Sequence, residues 1–296
     1  MKRIAVRLVP ALLICSFAAA PGAQEPRATA DKTREVYVSV LDRKGAPVQG
    51  LTTTDFLVRE DGKPREVLDV RPADTPLQIA LLIDDSEAAN EATSHMRDGL
   101  AAFLERLHGK AEIALITVGE RPTVLAPYTK DTAQLQQRVR RIFPRSGAGA
   151  YLLDAIMDAS QALAKREAER PVIVALSFEG IDYSNRQHEL VLSELRKSGA
   201  ALHVIAVGSP SSSMSDEMRN RNIVVAEGTA RTGGRRDQVL AVSGIPDKLK
   251  QAADELLNQY VITYGRPDTL IPPEKLDVTS TRPNVTVRAR TRLLTR

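Results

Sequence analysis

The chain has 296 residues, with 41 basic and 37 acidic side chains, four histidines and no tryptophan. Three of the basic residues, Lys2, Arg3 and Arg7, lie in an acid-free stretch of 23, leaving 38 basic against 37 acidic residues, a balance that together with few aromatics excludes a nucleic-acid surface. Cys15 is the single cysteine, which excludes disulfide staples, and the length suits one sizeable core with a smaller satellite.

At the start, the positive residues run into an apolar stretch from Leu8 to Ala20 and a small-residue exit at Pro21-Gly22-Ala23, the pattern of a secretory signal. Such a stretch is too short to cross a bilayer core of roughly 30 Å as a helix. Cys15 follows Leu12-Leu13-Ile14 rather than a small residue, which argues against lipid attachment. The chain is therefore expected to be exported, periplasmic or secreted, beginning near Gln24 with a flexible segment over 24–34 and no transmembrane segment after cleavage. The mature chain would then contain no cysteine at all.

Residues 35–75 read as a small β unit. Val36-Tyr37-Val38-Ser39-Val40 and Phe56-Leu57-Val58 alternate, and Lys44-Gly45-Ala46-Pro47 and Asp61-Gly62 carry turn chemistry. From 76 to 258 the pattern changes to buried strand, helix, buried strand. Leu77–Ile83, Ile113–Val118, Val172–Leu176 and Leu202–Val207 are continuous apolar runs, as expected of strands covered on both faces. Helical periodicity falls at about 87–108, 131–142, 152–166, 187–198 and 246–258. After 259 alternation returns in Tyr260–Tyr264, Leu276-Asp277-Val278 and Val285–Arg292, with valines expected inward and Arg288, Arg290 and Arg292 on a solvated edge. The fold class is thus α/β: a doubly wound, mostly parallel sheet beside a small β-sandwich in which 259–296 pairs with 35–75.

Chemistry-bearing residues gather where strands end. Leu77–Ile83 delivers Asp84-Asp85-Ser86-Glu87-Ala88 to the carboxyl edge of the sheet, where open α/β sheets bind ligands. Two further segments follow the same logic, Ala148-Gly149-Ala150-Tyr151-Leu152-Leu153-Asp154-Ala155 and Ser177-Phe178-Glu179-Gly180-Ile181-Asp182. Nucleophilic catalysis finds no support: there is no Gly-x-Ser-x-Gly turn, no paired-histidine spacing, and His95, His108, His188 and His203 suit surface or satisfied core positions. An Asp-Asp pair also suits a phosphoacceptor site, but export opposes it and no aspartate follows Ile116-Thr117-Val118. The glycine clusters at 208–213 and 232–235 lack the lysine of a phosphate loop and read as a flexible loop and a turn. Arg138, Arg140 and Arg141 fit the exposed side of a helix.

These three segments resemble the metal-site loops of von Willebrand factor type A domains, Asp-x-Ser-x-Ser, Gly-Gly-Thr-x-x-x-Asp-Ala and Ser-Asp-Gly-x-Asp. The resemblance places a type A-like domain at 76–258 and implies a site for a hard divalent cation held by oxygen donors. It also marks departures: Ala88 and Ala150 stand where hydroxyl ligands belong, and Glu179 replaces a shorter acid. Asp84, Ser86 and Glu179 are left as the metal shell, so Mg²⁺ is expected weakly bound or not at all, with Asp85 solvated. The front segment Val38–Leu51 with Asp55-Phe56 and Glu60–Lys63, and the back segments Thr232–Arg235 and Gln259–Tyr264, resemble secreted type A-related proteins of acidobacteria and other environmental bacteria. The resemblance implies a non-enzymatic, adhesion-like module that meets an unknown protein or envelope macromolecule at the top of the sheet, through Asp84, Ser86, Tyr151, Phe178 and Glu179. Two alternatives stay open: metal-dependent adhesion, and an envelope hydrolase using Asp84 and Glu179 as an acid/base pair.

Overall fold

A computed structural model describes residues 32–210, 215–267 and 271–293. The proposed signal, Cys15 and most of the 24–34 segment lie outside the described residues, as does part of the 208–213 loop. In chain order the elements are β1 (Lys32–Leu41), β2 (Phe56–Glu60), β3 (Lys63–Arg65), β4 (Val67–Pro72), β5 (Leu77–Ile83), α1 (Thr93–Arg106), β6 (Ala111–Thr117), β7 (Thr123–Thr129), α2 (Thr132–Val139) and α3 (Leu152–Lys165). They continue as β8 (Pro171–Phe178), α4 (His188–Ser198), β9 (Ala201–Val207), α5 (Asp216–Thr232), β10 (Arg236–Val239), α6 (Ile245–Leu257), β11 (Tyr260–Arg266), β12 (Leu276–Ser280) and β13 (Thr286–Ala289).

Six strands form the central sheet in the order β10-β9-β8-β5-β6-β7, all parallel except β7. Its continuous apolar strands serve two faces at once. Ile79, Leu81 and Ile83 of β5 pack with Leu100 and Phe103 of α1 and Leu249 of α6 on one side, while Ala80 and Leu82 pack with Ile156 of α3 and Val191 of α4 on the other. This is the expected doubly wound architecture. Among the described residues no helix is long and apolar enough to cross a membrane.

Two antiparallel sheets, β13-β1-β11-β4 and β12-β2-β3, enclose a separate core of Val38, Val40, Phe56, Val58, Tyr260, Ile262, Tyr264 and Leu276. β1 pairs with β11 over Lys32–Val38, so the two ends of the described chain are joined in one sheet. Asp61 and Gly62 both take positive φ, as the two-residue turn between β2 and β3 requires.

The sandwich sits at the amino ends of the central strands. Arg170, just before β8, is 4% exposed and donates to the carbonyls of Thr75 and Leu256 and to the Gln259 side chain; Gln259 in turn donates to Ser39 of β1. Burial lowers its pKa to about 10. Here the arginine row of β13 corrects its expected solvated placement. Arg288 pairs with buried Glu255 at 2.8 Å, Arg290 donates to the carbonyl of Gly199 at 2.6 Å, and Arg292 lies 3.5 Å from Glu274. Burial lowers the Arg290 pKa to about 10. The strand is an edge, but Arg288 and, just past its end, Arg290 are covered by the α/β unit, while the Arg292 side chain stays 38% exposed. Arg138, Arg140 and Arg141 lie exposed as expected.

Two elements had no apolar signature. β7 is a short edge strand containing Pro127, tolerated because an edge residue needs no second ladder partner. α5 turns Arg221, Gly228 and Thr229 inward alongside Met218, Val224 and Val225, so its buried face is half polar or small. Ser215 caps its start by accepting from the Met218 amide, and Gly233 ends it at φ +76° against the backbone of Ala289 and Arg290, where no side chain fits.

Candidate functional site

Buried acids hold the loops after β5 and β8 at the carboxyl edge. Asp84 follows β5, is fully buried, and accepts from the Ser86 amide at 3.0 Å and the Phe178 amide at 2.9 Å, so both carboxylate oxygens are engaged by main chain. Burial pushes the Asp84 carboxyl up, against these donors.

Asp85 is not solvated, contrary to expectation. It is 3% exposed, accepts from the Gly119 amide at 2.7 Å and pairs with Arg145 at 3.0 Å, tying the loop after β5 to the loop after β6. Asp182 is also buried and accepts from the amides of Leu152 and Ser184, both at 2.9 Å. Tyr151 offers no side-chain cap to α3, so Asp182 supplies from a distant loop the acceptor that the first turn of a helix lacks. Burial raises its pKa as well.

Glu179 has both carboxylate oxygens engaged by side chains. One oxygen pairs with Arg221 of α5 at 3.0 Å, the other accepts from the Gln238 side chain at 3.3 Å, and its side chain is 6% exposed. Arg221 is itself 2% exposed. No spacing rule links position 221 to position 179; the signal available was the helix around it, from the Ser215 cap and the acids Asp216 and Glu217 to Gly233.

Phe178 does not reach the surface. Its side chain joins the core on the α1 and α6 face, because it continues the inward row of Val174 and Leu176 along β8. The displayed apolar groups are Tyr183, 55% exposed, and Ile181, 52% exposed, with half-buried Tyr151 beside them. The rings of Tyr151 and Tyr183 lie 6.2 Å apart at 30°. Tyr183 rests on Gly149, where a Cβ would fall inside its ring, and its amide donates to Ala150 at 2.8 Å. Thus the glycine of the second loop seats an aromatic ring of the third.

These features, an acid-bearing parallel sheet with β7 reversed and helices on both faces, point to one fold. Residues 79–179 match the family model of the von Willebrand factor type A domain. The central domain has the type A fold. Among solved structures, a von Willebrand factor type A protein from Catenulispora acidiphila is similar at 10% identity, over 88% of this chain and 75% of that one, with a TM-score of 0.51. Proximal thread matrix protein 1 from the mussel byssus, with a zinc-occupied MIDAS motif, is similar at 16% identity and a TM-score of 0.52, over 67% of this chain and 50% of that one. This chain therefore spans about half the length of the mussel protein. No curated protein is similar enough in sequence to count as a relative.

A metal site of the type A kind needs free oxygen donors converging on one point. Here Asp84 is capped by two amides, Ala88 is exposed and carries no oxygen, Ala150 offers only main chain, and Glu179 is neutralised by Arg221. Among the described residues, no three histidine, cysteine, aspartate or glutamate side chains group as a metal ion requires. The residues present do not fit a divalent cation. Nor do Asp84 and Glu179 act as a free acid/base pair: Asp84 is buried, the Glu179 side chain is 6% exposed, and both are internally bonded.

Proposed function

We propose that this protein is an exported, non-enzymatic binding module that holds a protein or other envelope macromolecule against the carboxyl edge of its central sheet, with weak or no dependence on divalent metal. One observation carries the reading. Among the described residues, the large exposed apolar side chains Phe143, Ile181, Tyr183, Leu190 and Leu240 lie on loops or a first helical turn at that edge, and Val124 lies at the start of β7 beside them. Leu57, Leu68 and Ile271, elsewhere, belong to the antiparallel region. Apolar side chains gathered at one end of a domain, rimmed by polar groups, mark interaction surfaces.

The type A fold supports the reading, since ligands of open α/β sheets sit at this edge. Tyrosines suit such contacts because they present a large apolar body with few rotatable bonds. Asp84, Ser86 and Glu179 then shape the loops from within, while Tyr151, Ile181 and Tyr183 make the contact. The test is capture from the native envelope by the purified chain, repeated with EDTA and with a Tyr151→Ala/Ile181→Ser/Tyr183→Ala variant of native circular dichroism. The expected result is a partner retained in EDTA and lost with the variant. A partner held equally by both proteins would overturn the assignment of the face, and one released by EDTA would favour metal-dependent adhesion.

A further inference from the structure

We infer that the cation of this site is carried by the protein itself: the Arg221 guanidinium occupies an oxygen-lined cage at the end of β8 and does there what a bound divalent ion would do. The cage has four acceptors. Nη1 of Arg221 lies 3.0 Å from a Glu179 carboxylate oxygen and 3.5 Å from Asn222 Oδ1, and Nη2 lies 3.4 Å from Ser177 Oγ and 3.3 Å from the Phe178 carbonyl. Carboxylate, amide carbonyl, hydroxyl and main-chain carbonyl are the oxygen types that hard cations select.

An ordinary ion pair needs one carboxylate. This arrangement recruits three consecutive residues of the strand end, Ser177, Phe178 and Glu179, and closes the remaining carboxylate oxygen with Gln238. Arginine suits the role because its planar fork of donors bonds several oxygens at once, whereas a lysine would supply a point charge. The positive centre has two consequences. A divalent ion placed among the same oxygens would be repelled at contact distance, and the loop after β8 is fixed by covalent chain, independent of ion concentration.

The inference does not depend on any partner, so its test stands apart from the binding experiment. Manganese(II) titration by calorimetry and thermal melts with and without manganese would be run on the full chain, Arg221→Ala, Arg221→Met/Glu179→Gln and Arg221→Ala/Glu179→Gln. The unaltered protein is expected to show no saturable manganese binding and no shift in melting temperature. Arg221→Ala is expected to melt lower by about 10 °C, because a buried carboxylate has lost its counter-charge, and to bind manganese with partial recovery of that loss. Arg221→Ala/Glu179→Gln should lose that binding. Arg221→Met/Glu179→Gln should melt close to the unaltered protein, since it removes both charges and keeps the volume.

Saturable manganese binding by the unaltered protein would overturn the inference. So would a folded Arg221→Ala that ignores manganese. A methionine-glutamine variant melting about 10 °C below the unaltered protein would show that the loss is not that of an unpaired charge, and would overturn it even if the alanine variant failed to fold.

Discussion

The two ends of the central sheet use charge in opposite ways. At the amino end, arginines reach across a seam: Arg170, Arg288 and Arg290 bond to carbonyls and to Glu255 where the antiparallel sandwich covers the strands. At the carboxyl end, Asp84, Asp85, Glu179 and Asp182 are as deeply buried, yet their partners are amides and arginines of the same edge, and apolar rings are left outside. A buried charge at either end therefore marks a joint. What is offered to a partner is the uncovered remainder, Tyr183 and Ile181.

The comparison is broken most forcefully at the seam. Arg170→Met leaves the carbonyls of Ala73, Thr75 and Leu256 and the Gln259 side chain without their donor at a 4% exposed position and should cost about 3 kcal/mol in urea unfolding. A loss under about 1 kcal/mol would show that the seam holds by apolar packing instead.

A second effect comes from His203, which is buried in β9 with neither ring nitrogen hydrogen-bonded among the described residues. Glu255 of α6, Arg235 just before β10, Asp237 of β10 and Arg288 of β13 surround it, two charges of each sign. Burial holds its pKa below the ordinary 6.5, so below that pH the unfolded chain takes up a proton that the folded chain refuses. Stability should fall as pH drops below 6.5, by up to about 1.4 kcal/mol per pH unit for this one group. Denaturant unfolding of His203→Leu beside the unaltered protein should show the shallower slope in the variant; equal slopes would remove His203 from the account.

At the other end the effect on stability shrinks and the effect on binding grows. Tyr183→Ala, at a 55% exposed position, should change stability by less than about 0.5 kcal/mol while weakening a captured partner by about tenfold or more. Smallest of all, Arg140→Ala on the exposed end of α2 should leave the melting temperature within about 1 °C.

Much of the fold was legible because buried parallel strands advertise themselves as continuous apolar runs, and β5, β6, β8 and β9 all have them. α5 and β7 were hidden for a physical reason, since a helix that buries Arg221, Gly228 and Thr229 and an edge strand with Pro127 show no period. The acids of the edge could be read from strand ends, but their state could not. Arg221 and Arg145 reach Glu179 and Asp85 through the fold, across 42 and 60 positions. The same non-local geometry misled the reading of Arg288 and Arg290, whose alternation is that of an exposed edge while a neighbouring layer covers them, and of Phe178, whose loop position hid its membership of the inward row of β8.

The central claim is that the carboxyl edge binds by its apolar side chains while its charges are spent internally. The most direct measurement is the dissociation constant of the captured partner, by biolayer interferometry in magnesium and again in EDTA, for the unaltered protein and for Ile181→Ser/Tyr183→Ala. The account predicts equal affinity in both buffers for the unaltered protein and at least about tenfold weaker binding by the variant. Affinity lost in EDTA with the variant unaffected would contradict it.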